Sequence, residues 1–243
     1  MIDILILCGG QATRMKKIKS SIPKILYQFS NKYLFENILM SLKNIVSNSV
    51  IFVCSKKNFD IVKKTVSTKI PKSKSFKFAC ELSKMGTGGY LFHNKKKLSE
   101  DIFVIYGDLI VKFDLNIAYK YFKKNNLDCL LFVQNNGHYS DSDLIQIKKD
   151  KKLSLHRKPH RYKYFKKNIY AIEPIIILKK NVLEQFSFDK KNIEFIHEII
   201  YELFKKKGYK IDVFNFEFHK NFQNFIADCG VPERYLFLKS IFG

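Results

Sequence analysis

Ile2-Asp3-Ile4-Leu5-Ile6-Leu7-Cys8-Gly9-Gly10-Gln11-Ala12-Thr13-Arg14 opens the chain. Apart from Asp3, residues 2–8 are apolar, a run of strand length that stops at two glycines. With no alternation of polar and apolar positions, it predicts a strand buried on both faces, in the middle of an α/β sheet. Gly9 and Gly10 let backbone amides approach an anion closely. Thr13, Arg14 and, beyond a gap, Lys24 after Pro23 add donors and charge suited to phosphate groups. The stretch is not a P-loop, which needs Gly-Lys-Ser/Thr, nor the GxGxxG turn of dinucleotide folds. A double glycine after a strand is also what a tight turn with no ligand would show.

Outward from this strand, the periods alternate. Leu34, Ile38, Leu39, Leu42 and Ile45 recur at helical spacing between Tyr33 and Val46, and Val50 to Cys54 is a short strand. Phe59 to Val66 reads as a helix, Phe76 to Cys80 as extended, and Gly86 to Lys97 as glycines followed by a helix. Ile102 to Tyr106 is another apolar strand ending at Gly107-Asp108; a helix over Leu115 to Lys124 and a strand over Cys129 to Val133 follow. This order predicts a mostly parallel sheet flanked by helices. From residue 136 to Lys167 the sequence is charged and less regular, then strand-like over Ile169 to Ile172 and Ile175 to Leu178. This half is expected to form a smaller region capping the sheet. Ile193 to Phe204 is amphipathic and ends in Lys205 to Lys207 and Gly208, a basic last turn with a glycine stop. Tyr209 to Phe218 alternates like a strand. Phe225 to Gly230 leads to Pro232 at the start of a closing helix over Glu233 to Ile241, whose Tyr235, Leu236, Leu238 and Ile241 are assigned to the core. With no linker or repeat, one domain over 1–243 is expected.

Composition excludes several function classes. With 46% hydrophobic and 15% aromatic residues among 243, the chain can repay its ordering entropy by burying surface, so disorder is excluded. The net charge of +22 suggests nucleic acid at first sight, but only Arg14, Arg157, Arg161 and Arg234 are arginines. Base and phosphate recognition leans on the arginine fork, so the charge reads as a solvated lysine surface with no nucleic-acid partner. The five cysteines, Cys8, Cys54, Cys80, Cys129 and Cys229, form no CxxC pair and fit a reducing cytoplasm. The opening apolar run is too short for a signal peptide, and no run approaches the ~20 residues of a membrane span, so no integral membrane contact is expected. His156 and His160 are four apart, but Pro159 between them opposes the helix that would align them on a metal.

The segment Leu7-Cys8-Gly9-Gly10-Gln11-Ala12-Thr13-Arg14 followed by Pro23-Lys24 resembles the signature of the sugar-nucleotidyltransferases. Four further segments fall in that family's order: Glu81 with Met85-Gly86-Thr87-Gly88-Gly89; Gly107-Asp108 with Asp114; Arg157-Lys158-Pro159; and Asp228-Cys229-Gly230-Val231-Pro232-Glu233-Arg234. The short length and the closing Asp-x-Gly-Val-Pro-Glu-Arg-Tyr are most similar to the bacterial heptose 1-phosphate and mannose 1-phosphate guanylyltransferases. The resemblance implies a Rossmann-like α/β fold with no C-terminal left-handed β-helix. It also implies a nucleotide-binding half at 1–135 and a sugar-phosphate-binding half with the closing helix at 136–243. The implied reaction is transfer of GMP from GTP to a sugar 1-phosphate, D-glycero-α-D-manno-heptose 1-phosphate foremost, giving a GDP-sugar for surface polysaccharide and releasing pyrophosphate. Arg14, Lys24 and Asp108 would be catalytic. Leu7, Gly9, Gly10, Gln11, Ala12, Thr13, Glu81, Gly86 and Thr87 would bind the nucleotide, with Glu81 reading guanine. Arg157, Lys158 and Lys166 would bind the sugar phosphate, and Asp108 with Asp228 would hold Mg²⁺, whose preference is for hard oxygen ligands. A homodimer is compatible with all of this.

The sequence departs from the family at three places. Ala12 replaces the glycine before Thr13. Arg157 replaces the glutamate of Glu-Lys-Pro, and Lys166-Lys167-Asn168-Ile169-Tyr170 stands where Asn-x-Gly-Ile-Tyr is usual. Lys112 occupies a position often held by aspartate. Exchanging a carboxylate and an amide for cations changes which hydroxyl pattern would be recognised. Two alternatives therefore remain open: another nucleotide or phosphorylated acceptor, or a catalytically silent subunit that binds a nucleotide sugar and regulates a partner.

Overall fold

The structure is a computed structural model that describes residues 1–10, 15, 22–70, 76–135, 139–159, 168–189, 192–219 and 225–242. The apolar run at the N-terminus is strand β1 (Ile2–Leu7). A short hairpin, β2 (Gln28–Phe29) and β3 (Lys32–Tyr33), precedes helix α1 (Leu34–Ser41). Then come β4 (Ser47–Ser55), α2 (Lys56–Lys69), β5 (Phe76–Glu81) and α3 (Gly89–His93). Next are β6 (Asp101–Tyr106), β7 (Leu109–Lys112), α4 (Leu115–Lys124) and β8 (Cys129–Gln134). The second half contributes β9 (Leu144–Ile147), β10 (Leu153–His156), β11 (Ile169–Lys179) and α5 (Lys180–Glu184). A π-helical segment, Phe195–Ile200, runs into α6 (Tyr201–Lys205), followed by β12 (Ile211–Asn215), β13 (Phe225–Asp228) and α7 (Pro232–Phe242).

Among the described residues, nine strands form one mixed sheet with the order β10-β9-β11-β6-β1-β4-β5, and β8 joins β11 to β12. Strands β5, β4, β1 and β6 are parallel, so β1 is central, with Leu7 opposite Val53 on one side and Tyr106 on the other. Asp3, the one polar residue of the run, is 2% exposed. Ser49, Asn48 and the Ser99 N–H all donate to its carboxylate, which compensates the charge for burial. Four strands of the half after residue 136 belong to this same sheet. One core face packs Ile4, Ile6, Phe52 and Phe103 with Phe35 and Phe122 from α1 and α4; the other packs Leu5, Val53, Ile102 and Val104 with Leu91, Ile193 and Ile199. Each such side chain stabilises the fold by about 1.5–3 kcal/mol through removal of apolar area from water.

Several local expectations change. The helix expected to reach Val46 ends at Ser41; Ile45 is still buried, but Val46 is 83% exposed. The two strands expected at 169–172 and 175–178 are one strand whose pairing register shifts between Ile172 and Ile176. The strand expected over Tyr209 to Phe218 stops at Asn215, and a 3-10 turn follows. In α7, Pro232 takes the first helical position, and Tyr235 and Leu238 are buried as expected. Leu236 and Ile241, also assigned to the core, are about half exposed, because α7 covers the third core cluster with a narrow stripe only. The β9–β10 hairpin and the β7–β13 pair had no expectation. Among the described residues, no helix is long and apolar enough to cross a membrane.

Candidate active site

The parallel strands β1, β4, β5 and β6 end on one side of the sheet, where α/β folds leave a crevice outside their carboxyl ends. The Cys8 N–H donates to the Val53 carbonyl at 2.7 Å and the Gly107 N–H to the Leu7 carbonyl at 2.9 Å, which draws the three strand ends together. Only glycine fits at 107, since a Cβ there would lie 2.9 Å from the Leu7 oxygen. These ends open into a cavity of about 620 Å³. Of the sequence-predicted residues, Leu7, Gly9, Gly10, Lys24, Glu81, Gly86, Thr87 and Asp108 line it. Gln11, Ala12, Thr13, Arg14 and Lys166 lie outside the described residues. Ser55, Lys56, Lys57 and Asn58, at the start of α2, also line the cavity and were not anticipated. Of these, Asn58 is buried and donates to the Cys8 carbonyl.

Glu81 ends β5 beside Gly9: a Cβ on Gly9 would sit 3.2 Å from Glu81 Oε2. Burial pushes the Glu81 carboxyl up to about 7, against a backbone hydrogen bond from Tyr90 that lowers it. The turn after it is fixed from the opposite wall. The Ile193 N–H donates to the Met85 carbonyl at 2.8 Å and the Gly88 N–H to the Ile193 carbonyl at 2.7 Å. Gly86 has φ +75°, and a Cβ there would overlap the Ile193 carbonyl. Thr87 donates to Glu194 and accepts from the Phe195 N–H, which ties the turn to the start of the π-helical segment.

Asp108 follows β6, and Asp228 ends β13. The two would be far apart but for the antiparallel β7–β13 pair, which sets Asp228 opposite Leu109. The Cys229 N–H donates to the Asp108 carbonyl at 3.0 Å. Lys24 Nζ lies 2.9 Å from Asp108 Oδ2. The point where a Gly230 Cβ would stand is 2.7 Å from Asp228 Oδ1, 3.0 Å from Asp108 Oδ2 and 3.1 Å from Lys24 Nζ. Two carboxylates and a lysine therefore face one small space that glycine leaves open. Asp228 accepts from the Gly230 N–H, and its Oδ2 is 2.9 Å from Arg234 Nη2. Burial pushes the Asp228 pKa up and the Asp108 charge adds to this, while Arg234, the Gly230 N–H and Lys24 pull it down.

On the second-half side, Lys158 is anchored at both ends. Its N–H donates to Asp143 Oδ1 at 3.1 Å and its Nζ to the Asp141 carbonyl at 3.1 Å. Asp143, 5% exposed, also meets His197 Nε2 at 3.1 Å. Arg157 stacks over the Tyr201 ring at 4.9 Å. Glu173, at the register shift of β11, is 4% exposed and accepts from Gln134; burial pushes its carboxyl up to about 8. Sequence reading missed Asp141, Asp143, His197 and Glu173. For Glu173 a signal existed, because a carboxylate interrupting an otherwise apolar strand must find a partner. Asp114, in one of the quoted segments, caps α4 by accepting from the Asn116 N–H, and Lys112 lies over the Phe225 and Phe242 rings.

A family model described as nucleotidyl transferase matches residues 4–219. The D-glycero-alpha-D-manno-heptose 1-phosphate guanylyltransferase of Campylobacter jejuni is 27% identical over 234 residues, which cover 96% of this chain and 97% of that protein. Among solved structures, HddC from Yersinia pseudotuberculosis superposes with a TM-score of 0.72 at 22% identity over 99% of both chains, and it has also been solved in complex with GMP-PN. A Bacillus anthracis protein described as a glucose-1-phosphate thymidylyltransferase superposes with a TM-score of 0.82 at 16% identity, over 99% of this chain and 95% of that one. At these identities the solved structures speak for the fold, a Rossmann-like α/β domain, and the match over residues 4–219 speaks for descent. This chain belongs to the nucleotidyl transferase family, among its sugar-phosphate nucleotidyltransferases.

Proposed function

We propose that the protein transfers GMP from GTP to a sugar 1-phosphate, D-glycero-α-D-manno-heptose 1-phosphate foremost, releasing pyrophosphate and supplying a GDP-sugar for surface polysaccharide in the cytoplasm. The observation that carries this reading is the convergence of Lys24, Asp108 and Asp228 on the space above Gly230, at the edge of the strand-end crevice. The full-length likeness to a heptose 1-phosphate guanylyltransferase supports the choice of base and sugar.

The reaction joins two anions: an oxygen of the sugar phosphate attacks the α-phosphorus of the triphosphate, and pyrophosphate leaves. The protein's task is to position them in line and to stabilise charge. The amides of Gly9 and Gly10, continued by Gln11, Ala12 and Thr13, and the Arg14 guanidinium hold the triphosphate. Lys24 leaves Asp108 for the reacting phosphate. Glu81 accepts from the N1–H and the amine of guanine, two adjacent donors that one carboxylate can satisfy, and the Gly86–Thr87 turn completes the base wall. Lys158 and Arg157, together with Lys166, meet the sugar phosphate. The residues present fit Mg²⁺: two carboxylates face one space that a single methyl group would fill, and their hard oxygens suit this ion. Asp108 and Asp228 would hold Mg²⁺, which when bound would neutralise phosphate charge. Residues 1–135 accordingly form the nucleotide half and 136–243 the sugar-phosphate half.

Purified protein with Mg²⁺ is assayed for pyrophosphate release across GTP, ATP, CTP and UTP, each with a panel of sugar 1-phosphates. Release is expected with GTP and the heptose 1-phosphate above all other pairs. No release with any pair overturns the enzyme reading, and tight GDP-sugar binding without release selects a regulatory subunit instead.

A further inference from the structure

The acidic pair is neutralised in an asymmetric way. Asp108 is held by Lys24, a residue that the reaction itself calls away to a phosphate. Asp228 is held by Arg234, which the reaction does not use: Nη2 lies 2.9 Å from Asp228 Oδ2, and Nη1 lies 3.6 Å from a second carboxylate, Asp141 Oδ2. The Arg234 Nε is buried with no hydrogen-bond partner among the described residues, so the guanidinium has a donor for a rearranged contact. Asp141 is half exposed, and its carbonyl receives the Lys158 ammonium.

We infer that Arg234 is a positioning residue that stands in for the divalent cation at Asp228 and shifts its weight to Asp141 when that cation binds. This rests on the assignment of Asp108 and Asp228 to the cation. A cation entering between those carboxylates meets a guanidinium already seated on one of them, and like charges a few ångströms apart repel. Without a second acid in reach, Arg234 would either block the site or be left partly buried and unpaired. Asp141 removes that conflict. The planar arginine fork can span two carboxylates, and turning it from one toward the other leaves an ion pair in place throughout. Because the turn bearing Asp141 also fixes the Lys158 ammonium, occupancy of the acidic pair is transmitted to the sugar-phosphate side.

The test is Mn²⁺ binding followed by electron paramagnetic resonance, with and without saturating GTP and with no sugar phosphate present, so that turnover plays no part. Four proteins are compared: wild type, Asp141→Asn, Arg234→Gln and the double variant. Asp141→Asn is expected to weaken Mn²⁺ binding about fivefold, the scale of a half-exposed ion pair. In the Arg234→Gln background the same change is expected to have no effect, because the competitor is gone. Equal affinity of wild type and Asp141→Asn overturns the inference. So does an Asp141→Asn effect of the same size in both backgrounds, which would mean that Asp141 attracts the cation directly. If Arg234→Gln does not fold, Arg234→Lys replaces it: a single ammonium cannot span both acids, so the coupling must again vanish. A wild type that binds no Mn²⁺ in either condition refutes the cation assignment itself, an outcome distinct from binding without coupling.

Discussion

If Glu81 reads guanine as proposed, lowering the pH from 8 to 6 protonates it and should cost the enzyme its hold on that base. Burial places the carboxyl near pH 7, so about nine-tenths of the free protein carries the carboxylate at pH 8 and about one-tenth at pH 6. Only the ionised form accepts both guanine donors. The kcat/KM for GTP, which reports the free enzyme, should therefore fall about tenfold over that interval from this group alone. The phosphates of both substrates titrate as well, and Lys56, Lys57, Lys84 and Glu194 line the same crevice. Glu81→Gln keeps all of these and removes only the titrating acid. The quantity to measure is the ratio of wild-type to Glu81→Gln kcat/KM at fixed Mg²⁺, in half-unit steps of pH. It should be roughly tenfold to a hundredfold at pH 8, where the variant leaves one of the two guanine donors without an acceptor, and should shrink by about ten at pH 6. A ratio independent of pH refutes the assignment, as does a variant that keeps the full preference for GTP over ATP.

Asp108→Asn should abolish Mg²⁺-dependent pyrophosphate release while leaving the circular dichroism spectrum unchanged, since the amide is nearly isosteric but a poorer cation ligand; wild-type rates would refute it. Gly86→Ala should lower stability by about 2–4 kcal/mol in urea unfolding, because φ +75° disfavours a side chain and the new methyl would overlap the Ile193 carbonyl; a change below about 0.5 kcal/mol would contradict that geometry. Glu173 has a folded pKa of about 8, above an unfolded value of about 4.3. Its contribution to stability is therefore complete at acid pH and fades as pH rises toward 8. Glu173→Gln, still able to accept from Gln134, should match wild-type melting near pH 4, below the unfolded value, and exceed it at pH 8; equal melting at both pH values would show that Glu173 is not held neutral.

The parts of the fold legible in sequence are those whose pattern is local. A continuous apolar run marked β1 and β6, and the helical period marked α4 from Leu115 to Lys124 to the residue. The β9–β10 hairpin escaped because each of its strands is four residues long, too short to carry a period, and the turn between them, Lys148 to Lys152, is wholly charged. Strands β7 and β13 escaped because four residues are too few to carry a period. The site divides in the same way. Gly9, Gly107, Glu81 and Asp108 sit where strands end, which a sequence announces, and Lys24 opens a 3-10 turn marked by Pro23. Asp141, Asp143, His197 and Arg234 matter through pairings set by register and by the approach of distant turns, and composition holds no trace of those. Resemblance supplied Asp228; the pattern around it could not have shown that β13 carries it to Asp108.

That β7–β13 pair gives the protein an order of assembly. Asp108 and the glycine turn leave the ribosome early, and the parallel strands around β1 can pair as soon as β6 is made. The second carboxylate arrives half a chain later, on a strand that pairs with one other among the described residues. A nascent or interrupted chain lacking residues beyond 224 would thus hold the crevice proposed for nucleotide but no means of completing the acidic pair. Turnover would be the last property the protein acquires during synthesis and the first it loses when its final strand and helix peel away.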